Sequence, residues 1–389
     1  MSKKYLAKKY QRDWAPDVFR SGSADPEDTI YLNIGDPDII TPKVVLDAAF
    51  ADGYAGHTKY TDTRGYPELR AEICRFYKER YGMDIRDSNV CVVTSGQFGM
   101  YVTCQACLDP GDEVLIIEPY FMPYADAVEM AGGVPVLVST LFSEGFQINI
   151  DRLEKAVTPR TKALIINNPN NPTGAAYTLE TLERVADFAK RHDLVVFADD
   201  IYTSFDYTKK FIPIASLEGM FERTVTVNSG SKNFVMTGMR IGNIVADDDI
   251  IMAAKRIVEG TTYSSPSISQ RAMLHAFRHF NEFEDEISNT FRERVDYAYE
   301  RLSKMPMIEV LPVNGTFYIF PSVEKTGMDG TAFTALLREK CHIKVIPGIA
   351  FGPSGKHHFR ISCTVSMKDL KEALDRIEKL LFDLENSQK

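Results

Sequence analysis

The chain reads as an α/β protein: a mostly parallel sheet covered by helices on both faces, joined to a smaller α+β unit. Three observations lead there. Between about residues 65 and 260, short apolar runs alternate with stretches of helical periodicity, the trace that β-α units leave when they close a parallel sheet. Most of these runs are apolar on both faces, as strands buried between two helical layers are. From about residue 283 the pattern changes to one long charged helix followed by short strands mixed with helices.

Taken in order, the first 45 or so residues are irregular and rich in Pro and Asp, and are expected to wrap against the C-terminal third. Six strands follow: Val90–Thr94, Glu113–Ile117, Val134–Val138, Lys162–Asn167, Leu194–Ala198 and Thr224–Val227. Asp109-Pro110-Gly111-Asp112 precedes the second, and Asn168-Pro169-Asn170-Asn171-Pro172-Thr173-Gly174 follows the fourth, both as turn punctuation. The charged helix spans about 283–304. Beyond it Thr316–Phe320, Ile343–Ile346 and His358–Ser362 read as strands, with helices near 330–340 and 367–385. No internal repeat or low-complexity segment is found.

Composition narrows the function classes. With 389 residues, 44% of them hydrophobic, the chain can bury a large core. Its 54 acidic against 45 basic residues argue against nucleic-acid and anionic-membrane partners, which need a basic surface. The basic start, Met1 to Lys9, lacks the apolar run of a signal peptide, and no long apolar segment follows, so a soluble cytoplasmic protein is expected. Cys104 and Cys107 are the one close pair among six cysteines; without a second pair they read as reduced thiols in an apolar helix, and no metal site is expected.

The chemistry is carried by motifs at strand ends, where open α/β sheets bind ligands. In Ser229-Gly230-Ser231-Lys232, followed eight residues on by Arg240, a lysine sits between small hydroxyl residues with a guanidinium a short loop away. Alone this also fits a solvated turn. In company it can hold an aldehyde cofactor as a Schiff base while its neighbours grip a phosphate, which is pyridoxal-phosphate chemistry. Ser95-Gly96-Gln97 opens the helix after the first strand and offers backbone N–H groups and a hydroxyl to such a phosphate, though it also fits a plain helix cap. The prolines around Asn171 fix one orientation for its amide. Asp199 ends a buried strand, where a carboxylate is expensive unless it meets a cation such as a protonated pyridine nitrogen, and Tyr202 follows it. Arg360, on a late strand, suits an α-carboxylate.

This ordered set resembles the class I/II aminotransferases of the aspartate aminotransferase superfamily, the fold-type I pyridoxal-phosphate enzymes, from Asn33-Ile34-Gly35-Asp36-Pro37 to Phe359-Arg360-Ile361-Ser362. The resemblance implies a seven-stranded sheet in a large domain at 46–285, with 1–45 and 286–389 forming the small domain. It implies Lys232, Asp199 and Tyr202 as catalytic residues, with Lys232 the Schiff-base lysine and proton carrier. Ser95, Gly96, Gln97, Ser229, Ser231 and Arg240 become the phosphate cup, Phe121 the ring-stacking residue and Asn171 a ring-hydroxyl partner. Gly35, Asn171 and Arg360 would meet the substrate, and Tyr60 would reach the phosphate of the neighbouring subunit in a homodimer. The activity implied is exchange of an amino group between an L-amino acid and a 2-oxo acid by a ping-pong route. A β-eliminating carbon–sulfur lyase is the alternative on the same fold. A cofactor-sensing regulator with a DNA-binding module is disfavoured, because the resemblance already begins by about Asn33 and the chain is acidic. For the substrate side chain, Ile39, Ile40, Tyr120 and the segment Thr261–Ser265 are candidate pocket residues, and Arg64 is a candidate for a distal carboxylate.

Overall fold

Seven strands form the central sheet of the computed structural model, which describes residues 5–7, 10–11, 25–208 and 211–388. Met1 to Lys4, Lys8 and Lys9 of the basic start, and residues 12–24 of the N-terminal segment, lie outside the described residues. The strands are β2 (Val90–Val93), β3 (Glu113–Glu118), β4 (Val134–Ser139), β5 (Thr161–Asn167), β6 (Val195–Asp199), β7 (Thr224–Ser229) and β8 (Gly242–Val245). They lie in the order β4-β3-β5-β6-β7-β8-β2, all parallel except β8, which runs antiparallel to both its neighbours.

β8 is the strand that the sequence reading omits. It is four residues long, begins on a glycine and follows a Thr-Gly-Met-Arg loop, so it lacks the bounded apolar run that marks the other six.

Alternation along each strand feeds two cores. Val114, Ile116, Ile165, Phe197 and Val227 point to one face, against α3 (Gly96–Cys107), α4 (Pro123–Met130) and α8 (Asp248–Thr261). Leu115, Ile117, Leu164, Ile166 and Val196 point to the other, against α5 (Ile150–Ala156) and α6 (Leu179–Arg191). In α6 the apolar face is Leu182, Val185, Ala186 and Ala189, at helical spacing, and Thr178 caps its start by accepting from the Thr181 amide at 3.1 Å. Cys104 is buried in α3 and Cys107 half-buried, both as free thiols that burial pushes up, to about 12 and about 11.

The third core joins α1 (Lys43–Tyr54), α2 (Pro67–Tyr81), α9 (Ser267–Arg278) and the long α10 (Phe280–Leu302) to the C-terminal elements. There β9 (Tyr318–Ile319), β11 (Ile346–Pro347) and β12 (Phe359–Ser362) form an antiparallel sheet in the order β11-β12-β9. α11 (Gly330–Cys341) and α12 (Met367–Gln388) complete the unit. The N-terminal segment does pack on it: β1 (Ile30–Tyr31) pairs in parallel with β10 (Ile343–Lys344), and the Ser362 amide donates to the Leu32 carbonyl at 2.8 Å. Arg294 of α10 grips Asp38 with both guanidinium nitrogens, at 2.6 and 3.2 Å. Among the described residues no helix is long and apolar enough to cross a membrane.

At the end of β3, Glu118 fastens the loop before β12. Its Oε1 accepts from the Ser354 amide at 2.7 Å, and its Oε2 from the Ser139 hydroxyl at 3.0 Å.

Candidate active site

The carboxyl ends of β2, β5, β6 and β7 meet the N-terminal segment and the C-terminal sheet around a cavity of about 360 Å³. Gly35, Gln97, Phe121, Asn171, Tyr202, Lys232 and Arg360 all line it. They come from seven separate stretches of chain, and the topology alone assembles them.

Lys232 lies in α7 (Gly230–Asn233), the single turn that follows β7. Its Nζ donates to the Gly35 carbonyl. Burial holds the ammonium below the ordinary lysine range; Arg360 and Arg240 push the same way, while Tyr318 and Asp36 oppose them. A lysine poised towards its neutral form is nucleophilic.

Asp199 ends β6 wholly inside the protein. Its Oδ2 accepts from the Tyr124 hydroxyl, whereas Oδ1 is buried without a hydrogen-bond partner. Burial pushes the carboxyl up to about 6, against the Tyr124 bond, the Ile201 amide and the Lys232 charge, which all lower it. Asp200 beside it is pushed up further, by burial and then by Asp199 itself. Such a group calls for a cation.

Asn167 ties the two strand ends together. Its amide donates to the Asp199 carbonyl at 2.9 Å, and its Oδ1 accepts from the Asn171 amide nitrogen at 2.8 Å. The Asn171 Oδ1 accepts from Arg360 Nη1 at 2.9 Å, which leaves the NH2 of that side chain as its offering to the cavity. Arg360, 2% exposed, also donates through Nη2 to the Asn33 carbonyl, and its Nε is buried without a partner. The guanidinium carbon lies 4.3 Å from the centroid of the Tyr318 ring and 4.9 Å from that of Phe351.

Ser95, Gly96, Ser229 and Ser231, which do not line the cavity itself, gather where α3 and α7 begin. Ser95 caps α3 by accepting from the Phe98 amide at 3.0 Å. Ser229 donates to Ser231 Oγ at 3.0 Å, and a Cβ on Gly96 would stand 3.3 Å from the Ser229 Cβ. This is a cradle of hydroxyls that admits little besides glycine.

Two further sequence candidates are exposed and do not line the cavity. Arg240 is exposed, with a left-handed backbone (φ 52°), and its Nη1 donates to the Thr237 carbonyl at 2.8 Å. Tyr60 is 85% exposed, its ring edge-on to Tyr263 at 5.0 Å, and it does not line the cavity of its own chain. The proposed side-chain pocket is not assembled: Ile39, Ile40, Tyr120 and Thr261–Ser265 do not line the cavity, and Ile40 is 83% exposed. Arg64 is committed elsewhere, to the Asp87 carbonyl and carboxylate at 3.0 and 3.2 Å. Conversely, Tyr124, Asn167, Asn33 and Tyr318 are site residues that the sequence reading passes over. Asn167 carried a signal, a polar residue closing an apolar strand just as Asp199 does. A second cavity, of about 370 Å³ beside Arg80, Asp206 and Glu284, contains none of the candidates.

The donor set fits pyridoxal phosphate. The orphaned Asp199 oxygen suits a pyridinium N–H, the serine cradle with the Gly96 opening suits a phosphate, and Lys232 is the amine for an aldehyde.

A seven-stranded, mostly parallel sheet with a lysine-bearing turn after β7 is the architecture of fold-type I enzymes. The chain belongs to the aminotransferases of class I and II, whose family model matches residues 27–377. Aromatic-amino-acid aminotransferase 2 of Thermococcus litoralis is 38% identical over 91% of this chain and 92% of its own length. An aspartate aminotransferase of Pyrococcus abyssi is likewise 38% identical, over 92% and 93%. Among solved structures, the aromatic aminotransferase of Pyrococcus horikoshii superposes with a TM-score of 0.90 at 36% identity, covering 92% of this chain and 96% of that one. The aspartate aminotransferase of Thermus thermophilus with maleate does so at 0.87 and 34%, covering 91% and 92%. The protein is a transaminase of a class whose members use pyridoxal phosphate, and nothing in these likenesses favours a lyase.

Proposed function

We propose that this chain binds pyridoxal phosphate in the 360 Å³ cavity and exchanges an amino group between an L-amino acid and a 2-oxo acid in two half-reactions. The observation that carries the reading is the meeting of Lys232, Asn171, Tyr202 and Arg360 around one cavity, backed by the unpartnered Asp199 oxygen. When bound, the cofactor would draw off the electron pair released at the substrate α-carbon.

The remaining roles belong to the chain's own groups. Lys232 would hold the aldehyde carbon and, once displaced, carry the proton. Asp199 would keep the ring nitrogen protonated, with Asn171 and Tyr202 at the ring hydroxyl and Phe121 against the ring face. Ser95, Gly96, Gln97, Ser229, Ser231 and Arg240 would hold the phosphate. Arg360, with Asn171, would fix the α-carboxylate, and the backbone at Gly35 would close over it and exclude water.

The division proposed is a large domain at 46–285 and a small one of 1–45 with 286–389. The β1–β10 pairing supports joining the two ends of the chain, and the boundary falls inside α10. A cytoplasmic homodimer completes the reading: exposed Tyr60 would serve the partner's phosphate.

Absorbance titration of the loaded protein with L-amino acids, without an acceptor, tests this. The visible cofactor band should convert to the pyridoxamine form, and Lys232→Ala should abolish turnover. Among the described residues Lys232 and Arg360 are the two cationic ones that line the cavity, and both have tasks, so neutral donors should respond at lower concentration than aspartate or glutamate. Retention of near wild-type turnover by Lys232→Ala would sink the proposal.

A further inference from the structure

Tyr318 on β9 touches three parts of the site at once. Its ring lies 4.3 Å from the Arg360 guanidinium carbon, close enough for a cation–π contact, and the Phe351 ring packs on the same guanidinium at 4.9 Å. Its hydroxyl accepts from the Tyr202 hydroxyl at 3.2 Å, and the two rings meet edge-on at 5.8 Å. That same hydroxyl occupies the space where residue 35 would carry a side chain: a Cβ on Gly35 would stand 1.8 Å from it. Tyr318 is 2% exposed and its register is fixed by pairing with Ser362, two residues beyond Arg360.

We infer that Tyr318 is a positioning residue that locks the carboxylate-binding arginine and the ring-hydroxyl tyrosine into one unit, its ring aiming Arg360 and its hydroxyl engaging Tyr202. The inference rests on the roles proposed above for those two residues. A guanidinium held by two oxygens could still tilt about the line joining them; the Tyr318 and Phe351 rings packed on it restrict that freedom. The Tyr202 phenol can donate one proton. While Tyr318 accepts it, Tyr202 offers the cavity its oxygen; without that acceptor, the proton is free for the ring oxygen of the cofactor. The other charged groups near Tyr202 are Arg360 and Asp199, and those near Lys232 include Asp36, Arg240 and Arg360, with the Tyr318 phenol beside them; Tyr318→Phe removes the phenol alone and keeps all of the others.

The two functions separate in two variants. Tyr318→Phe keeps the ring and deletes the hydroxyl. With pyridoxal phosphate bound, the midpoint of the pH-dependent visible band should move down by about half a unit or more, while the donor KM stays within about twofold. Tyr318→Leu deletes both, and the donor KM should rise by about tenfold, in line with the loss of a desolvated cation–π contact. The Kd of an unreactive α-methyl amino acid, read from the same band, should rise in parallel. Tyr318→Met replaces Tyr318→Leu if the latter does not fold. An unmoved or raised midpoint in Tyr318→Phe, or an unmoved KM in the ring-less variant, overturns the inference. Failure of the wild type to form any band would instead overturn the functional reading beneath it.

Discussion

Asp199 shows at residue scale how function and stability oppose each other in this chain. Its carboxyl is pushed from 3.8 to about 6 by burial, so the folded protein disfavours the ion. The sign follows from linkage: with the folded value above the unfolded one, the contribution is harmless below about pH 4 and becomes destabilising as pH rises through 6, reaching about 3 kcal/mol. Without cofactor, Asp199→Asn should therefore match or exceed the wild-type thermal midpoint at pH 8, because the amide still accepts from Tyr124. Its turnover with cofactor should fall at least about a hundredfold. A lower midpoint in the cofactor-free variant at pH 8 would contradict this account. The cost of a charge at a buried strand end made Asp199 readable in the sequence, as hydroxyls around a lysine did for Lys232. Tyr124 and Tyr318 were not readable. Each sits in an otherwise ordinary helix or strand, and only the fold brings one to Asp199 and the other to Arg360.

At the scale of elements, β12 carries Arg360, and the residue just before the strand is a histidine in an unusual setting. The His358 ring lies flat on Phe320, with centroids 4.9 Å apart and planes 8° from parallel, and neither ring nitrogen has a partner. Burial, then His357, pushes it from 6.5 down to about 4. Stability from the neutral ring is thus fully present above pH 6.5 and is lost as pH falls from there towards 4. Urea unfolding at pH 5 should find His358→Phe more stable than wild type by about 2 kcal/mol, with the difference nearly gone at pH 8. Equal differences at the two pH values would refute it. Six of the seven central strands were legible as short apolar or β-branched runs; five of them are buried along most of their length, and only the edge strand β4 is largely uncovered. β8 was not, since four residues opening on glycine gain their strand identity from β2 and β7 on either side.

At the scale of the whole molecule, Tyr60, Tyr54, Ile40 and Phe50 are 85, 93, 83 and 52% exposed, large apolar side chains that one chain leaves uncovered. If Tyr60 completes the partner's site, Lys232→Ala and Tyr60→Ala subunits, each impaired alone, should recover about a quarter of wild-type activity when mixed and allowed to exchange, since one site of each heterodimer is intact. No recovery despite proven exchange would refute shared sites. Such a complement was visible in the sequence only through family likeness, because nothing in a single chain records which surface a second copy meets. The central sheet carries one more implication. Val90 of β2 pairs with Val245 of β8, so the sheet's first strand to leave the ribosome is its last to find a neighbour. Until β8 emerges, β2 has no neighbour in the sheet and the Ser95-Gly96 turn lacks the Gly242 backbone that packs against it. A nascent chain cut short before residue 242 therefore presents an unpaired apolar strand, the kind of edge that chaperones must shield during synthesis.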